Sequence, residues 1–199
     1  MKLLALDLSK TRTGWAVWHD GWEKPQFGSW VLGSEYTADG RVFAKLHEHM
    51  LDLRAVIPFD EIHYEQPINP AKLQGFTNIN VIKMAIGLAS HVLSFAAATG
   101  CRASDVHIDT WRIDFVGSGE ISQIKAAVRA KARAAGKKLS ARDDLKEATM
   151  ERCRQLGMKP RYNDEADAIG IADYVLGTQR ITPPWRAQEV LRPALGVSR

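Results

Sequence analysis

Cysteine is almost missing from this sequence: Cys101 and Cys153 are the only two in 199 residues, and neither stands in a CxxC or a Cys/His metal spacing. Two such residues build no disulfide framework, and a reduced, intracellular setting is the expectation. Long apolar runs are missing as well. Leu3 to Leu6 is closed by Asp7, and nowhere do about 18 apolar residues run together, so neither a signal peptide nor a membrane span is expected. Charge of one sign is in short supply too, since Lys+Arg 27 against Asp+Glu 23 leaves only +4. A surplus that small does not identify a nucleic-acid binder; its placement has to. Internal repeats and low-complexity linkers are absent, which leaves one domain over about residues 1–180 and a loosely held tail at 181–199.

What is present describes a globular α/β chain. Hydrophobic content of 45% and charged content of 25% sit near the globular average. Lys2 to Leu8, the polar Ser9-Lys10-Thr11-Arg12-Thr13-Gly14 and Trp15 to Trp18 read as strand, tight turn, strand, with Gly28 to Leu32 as a third antiparallel strand. Val42, Leu46, Met50, Leu53 and Ile57 recur at helical spacing up to Pro58. Glu61 to Glu65 is predicted as a short strand, Thr77 to Ala98 as a largely buried helix closed by Gly100, and Val106 to Ile108 as a fifth strand. A basic segment follows. Asp143 and Asp144 are then placed to cap a helix carrying Leu145, Thr149, Cys153 and Leu156 on one face, and Asp164 to Val175 forms a final helix. This order predicts a five-stranded mixed sheet flanked by helices on both faces.

Sites in such sheets lie at the carboxyl ends of strands. Asp7 ends the first strand and Glu65 the fourth; on neighbouring strands their carboxylates would converge and demand a shared proton or a cation. Asp164 and Asp167, three apart on a helix, share a face while Glu165 points elsewhere. Oxygen donors without His or Cys suit a hard ion such as Mg²⁺ or Mn²⁺. Each acid also has an ordinary structural explanation: Asp7 as a turn residue, Glu65 as an edge residue beside Pro67, Asp164 as an N-cap and Asp167 as a first-turn acid favoured by the helix dipole.

The arrangement says more than its parts. Leu4-Ala5-Leu6-Asp7 through Gly14-Trp15-Ala16-Val17, then Tyr64-Glu65-Gln66, then Val116-Gly117-Ser118-Gly119, then Asp164 to Ala172, in this order over nearly the whole chain, resemble the RuvC family of Holliday junction resolvases within the ribonuclease H-like superfamily. The resemblance implies a divergent or phage-type member: a homodimeric, metal-dependent endonuclease that makes paired nicks in four-way or related branched DNA in the cytoplasm of a bacterial or phage-infected cell. It implies two Mg²⁺ ions per site, replaceable by Mn²⁺, on Asp7, Glu65, Asp164 and Asp167, with Asp7 bridging both. Arg112 falls where the family has a phosphate-contacting Lys, and Lys146, with Lys125 as its rival, matches a second family Lys. Ser9, Lys10 and Arg12 of the first turn are further DNA-contact candidates. The family's Asp-Pro-Gly is here Asp7-Leu8-Ser9, its aromatic residue after Glu-Gln is matched by Ile68 or supplied by Phe76, and a basic insertion occupies about 120–143.

Ile121 to Arg142 carries seven Lys/Arg and no acid. That pattern suits either a solvated, alanine-rich helix face or, the favoured reading, contact with phosphates. Trp15, Trp18 and Trp30 are assigned to strands and their packing, whereas Trp111 is placed either to stack on a base or sugar or to pack beneath the acids. His63 is read as a partly buried, hydrogen-bonded residue or a support for Glu65. Two rival functions remain at this level: a non-catalytic branched-DNA-binding protein of the same fold, and an actin-like ATPase, which lacks here the second glycine-rich phosphate loop it needs.

Overall fold

β1 (Lys2–Asp7) lies in the middle of a five-stranded sheet ordered β3-β2-β1-β4-β5. Its unbroken apolar sequence follows from that position, because both of its faces are covered. Leu3 and Ala5 enter one hydrophobic core, Leu4 and Leu6 the other, and all four are fully buried. The computed structural model describes residues 1–67 and 79–187. β2 (Thr13–His19) pairs antiparallel with β1 and with β3 (Gln26–Trp30), while β4 (Glu61–Glu65) and β5 (Arg102–Val106) run parallel to β1.

The second core is closed by α1 (Asp39–Val56) and α2 (Ile79–Thr99). α2 has the length and hydropathy of a membrane span, but it lays Met84, Leu88, Ala89, Val92, Phe95 and Ala96 into this core. The first core is closed by α3 (Ile108–Val116), α5 (Arg142–Gln155) and α6 (Asn163–Thr178), with α4 (Ser118–Ala135) packed outside α3 and α5 through Ile121 and Val128. Gly117, at φ +106°, turns the chain between α3 and α4.

Three expectations change. The fifth strand is Arg102–Val106, and Ile108 starts a helix instead of ending that strand. β5 is an edge strand whose Arg102, Ser104 and Asp105 are exposed, so no apolar run marks it. The extended His107 then caps α3 by accepting the Asp109 N–H at 3.2 Å. Asp143 and Asp144 lie within the first turn of α5, after Ala141, where the helix dipole favours their charge but neither caps the helix. The start of the tail is held down: Trp185, 5% exposed, donates to Asp173 Oδ1 at 2.6 Å, and Arg186 bridges Asp173 and Asp114.

Candidate active site

The site begins with the two-residue periodicity of a strand. On β1, Asp7 shares the face of Leu3 and Ala5; on β4, Ile62 and Tyr64 turn to the α1/α2 core, so Glu65 projects to the other side. β1 and β4 are parallel, with Leu6 opposite Tyr64, and the next residue on each is an acid. Asp7 and Glu65 therefore leave neighbouring strands at the same end and on the same face, toward α3 and α6.

α6 brings the other two acids, and Gly14 lets it come close enough. Gly14 is the β2 partner of Asp7, and a Cβ placed on it would lie 1.8 Å from the Asp164 carbonyl oxygen. The start of α6 thus rests on bare backbone of the β1–β2 hairpin. Glu165 turns away, accepting Ser29 Oγ at 2.9 Å and the Arg161 N–H at 2.7 Å, and so fastens this end of the helix to β3. Asp167, one turn further in, is 3% exposed.

Two consecutive residues of α3 each hold one of these acids. Trp111 donates its indole N–H to Glu65 Oε2 at 3.2 Å, and Arg112 donates through Nη2 to Asp167 Oδ2 at 3.0 Å. Trp111 is fully buried against Gly170, where any Cβ would lie 2.6 Å from its ring. Of the two placements expected for Trp111, the structure shows the packed one beneath the acids, with no face of the ring presented to a base in this conformation. Arg112 is 8% exposed and already paired, so in this conformation it does not present itself to a phosphate as the resemblance implied. Arg112 Nε and Asp167 Oδ1 are buried and have no hydrogen-bond partner among the described residues.

Like charges in a dry place hold on to protons. Burial, then Asp167, Glu65 and Asp164, push the Asp7 carboxyl well above its ordinary range. Burial and Asp167 push Glu65 up to about 7. Burial raises Asp167 as well, against the pull of Arg112 and Lys146. Lys146 of α5 opposes the rise at Asp7, Glu65 and Asp167 alike, whereas Lys125 of α4 faces Asp109 at 3.9 Å. Of the two candidate lysines, Lys146 is the one that α5 delivers to the acids.

The remaining candidates are dispersed. Ser9 closes the β1–β2 turn with Thr13, Lys10 pairs with Asp39 at 3.4 Å, and Arg12 bonds Ser29 Oγ at 3.3 Å while stacking 3.6 Å over the Tyr162 ring. Ile68 and Phe76 lie outside the described residues. His63 bonds Ser104 and Glu61, away from Glu65. Sequence reasoning missed Gly14 as the seat of α6, Gly170 as the seat of Trp111, and Tyr162 as the platform under Arg12. Only the glycine beside a strand-ending acid was a usable signal, since glycine in a strand marks close backbone approach.

The donor set tests well against a hard divalent ion in its chemistry: oxygen ligands only, crowded negative charge that resists ionisation, and one buried carboxylate oxygen without a donor. Among the described residues, however, no three His, Cys, Asp or Glu side chains are close enough together to grip an ion as they stand. Trp111 and Arg112 currently engage Glu65 and Asp167, so the acids are gathered but committed to other partners.

No protein-family model and no curated protein matches this chain. Solved structures do. RuvC of T. thermophilus, in a complex with a Holliday junction substrate, is 16% identical with a TM-score of 0.59, over 90% of this chain and 96% of that one. The yeast mitochondrial Holliday junction resolvase Ydc2 is 12% identical with a TM-score of 0.50, over 94% of this chain and 79% of that one. The fold is thus the ribonuclease H-like one that the sequence motifs implied.

Proposed function

We propose that this chain is a divergent RuvC-type resolvase: a metal-dependent, structure-selective DNA endonuclease that nicks Holliday junctions or related branched DNA in pairs. The observation that carries the reading is the convergence of Asp7, Glu65, Asp164 and Asp167 from β1, β4 and α6 at one end of this fold, with Asp7 and Glu65 pushed toward protonation by burial and by Asp167, and Asp167 by burial and by Asp164. The four carboxylates would hold Mg²⁺, or Mn²⁺ in its place, as two ions per site; when bound, such ions supply a lowered pKa for water and charge stabilisation at a phosphodiester.

The chain's own residues do the positioning. Trp111 fixes the rotamer of Glu65, Gly14 sets the distance of α6 from β1, and Lys146 adds positive charge at the acids. Arg129, Lys131, Arg133, Lys137 and Lys138 are exposed on and after α4, and they are proposed to track DNA phosphates. Homodimer formation is supported by the outer face of α2, where Ile79, Ile86 and Leu93 are exposed at heptad spacing. The cytoplasm of a bacterial or phage-infected cell is the proposed setting.

The test is cleavage of matched four-way, three-way, flap and linear duplex DNA with Mg²⁺ or Mn²⁺. Wild type is expected to nick branched DNA and leave 5′-phosphate and 3′-hydroxyl ends; Asp7→Asn and Asp167→Asn are expected to fall by at least about 10³-fold while still binding DNA. Undiminished cleavage by either variant excludes this site, and equal cutting of linear duplex reduces the reading to a general nuclease. Four-way DNA binding without any metal-dependent nicking would favour a non-catalytic module of the same fold.

A further inference from the structure

We propose that Arg112 is a resident counter-ion at Asp167, a positioning residue that occupies this carboxylate before metal arrives and has to yield it when a divalent ion binds. The inference rests on the metal-dependent reading above and adds to it a residue that sets how readily the site takes its ion.

Three observations lead there. The first is an incomplete fork. A guanidinium and a carboxylate can form two parallel hydrogen bonds, and buried pairs gain most when they do. Arg112 and Asp167 form one, at 3.0 Å, and leave Nε and Oδ1 buried without partners among the described residues. An ion pair serving only the core would close that fork, since each buried orphan atom costs free energy. The open Asp167 Oδ1 is an anionic atom with no donor, which suits a cation.

The second is the position of the charge. Arg112 acts on Glu65 as well as on Asp167, so one guanidinium partly neutralises acids from β4 and α6 together. A divalent ion held by the same acids would sit within a few ångströms of that guanidinium, in a site with little water to screen the repulsion. The third is that Arg112 has somewhere to rest. Its guanidinium lies 4.5 Å from the centroid of the Trp111 ring, and that contact does not depend on Asp167. Arg112 can therefore release the carboxylate and remain over the indole. Metal binding then includes the work of breaking one ion pair, which lowers affinity and keeps the metal-free acids from being left unpaired.

The experiment uses the full chain without DNA and titrates Mn²⁺, with binding read by calorimetry and by the paramagnetic resonance signal of free Mn²⁺. Arg112→Gln removes the charge and keeps a polar side chain; Arg112→Lys keeps the charge. Arg112→Gln is expected to bind Mn²⁺ at least about tenfold more tightly than wild type, and Arg112→Lys to stay within about threefold of it. Equal or weaker binding by Arg112→Gln overturns the proposal while leaving the metal site intact. Asp7→Asn serves as the control: if wild type, Arg112→Gln and Asp7→Asn all fail to bind Mn²⁺, the metal-dependent reading falls and this inference with it. Should Arg112→Gln not fold, wild type alone decides. The Arg112 Nε–H resonance, assigned by its loss in Arg112→Lys, is expected to shift on saturation with diamagnetic Mg²⁺, and an unmoved resonance at saturation overturns the proposal.

Discussion

Adding one methyl group at Gly14 tests whether the acids are assembled by backbone contact. In Gly14→Ala the new Cβ would lie 1.8 Å from the Asp164 carbonyl oxygen, 2.2 Å from its carbonyl carbon and 2.9 Å from the Glu165 nitrogen. All three are backbone atoms, so no side chain can swing aside. An ordinary contact needs about 3.4 Å, which requires β2 and the start of α6 to part by ~1.5 Å. Overpacking of this kind costs roughly 1–3 kcal/mol, more when backbone has to move, and a chain of this size loses about 2–4 °C of thermal midpoint per kcal/mol. The strain falls on α6, which carries Asp164, and on β2, whose Gly14 pairs with Asp7 of β1. A displacement of about 1 Å among reacting groups lowers rates by about 10²-fold. Gly14→Ala is accordingly expected to melt about 4–10 °C lower and to nick four-way DNA about 10²-fold more slowly at a temperature where it is fully folded. Calorimetric melting and single-turnover cleavage on the same preparation separate the two effects. A variant that melts and cleaves like wild type would show that the close seat of α6 on the hairpin is not what places Asp164.

Two further outcomes follow from the electrostatics. Burial and Asp167 push Glu65 up to about 7, so in chelator the folded protein keeps this proton through a range where the unfolded chain has released it. That contribution to stability is complete below the ordinary glutamate range and is lost as pH rises toward 7. The metal-free thermal midpoint is expected to decline from about pH 5 to pH 7.5, and Asp167→Asn to flatten the decline; because burial lowers the His63 pKa and gives an opposing slope, the difference between the two proteins is the quantity to follow. An identical slope in both would show that Asp167 does not act on Glu65. For the basic segment, neutralising about six phosphates predicts a slope near −5 for the logarithm of affinity against log salt, and Arg129→Gln with Lys131→Gln and Arg133→Gln should flatten it by about 2–3. Fluorescence anisotropy on four-way DNA measures this, and an unchanged slope would remove α4 from the interface.

The four candidate acids, and the faces they share, were legible because they obey local rules. Asp7 ends an apolar strand and Glu65 an alternating one, strand alternation assigns their face, and helical spacing unites Asp164 with Asp167 while turning Glu165 away. The five-stranded mixed sheet and its opening antiparallel strands followed from the succession of elements, β4 was read to the residue, and the place of β4 beside β1 came from the structure. β5 and the start of α3 were misread because an exposed edge strand has no apolar pattern and the cap of α3 is a histidine, not the usual Ser, Thr, Asp or Asn.

Contacts between residues far apart in the chain lie beyond such rules. Trp111 and Arg112 were read as loop neighbours, Arg112 toward a phosphate and Trp111 either on a base or sugar or beneath the acids; the fold puts them on the inner face of α3, 46 and 55 positions from the carboxylates they hold. Lys146 and Lys125 are equally basic as letters, and only the packing of α5 on α6 delivers one of them to the acids. By itself, then, the sequence determined which oxygens are available and which faces they share. The tertiary structure decided which cations meet them and how closely α6 approaches Gly14. Burial, Coulomb energy and steric exclusion depend on distances through space, and those distances exist only once the sheet and its helices are packed.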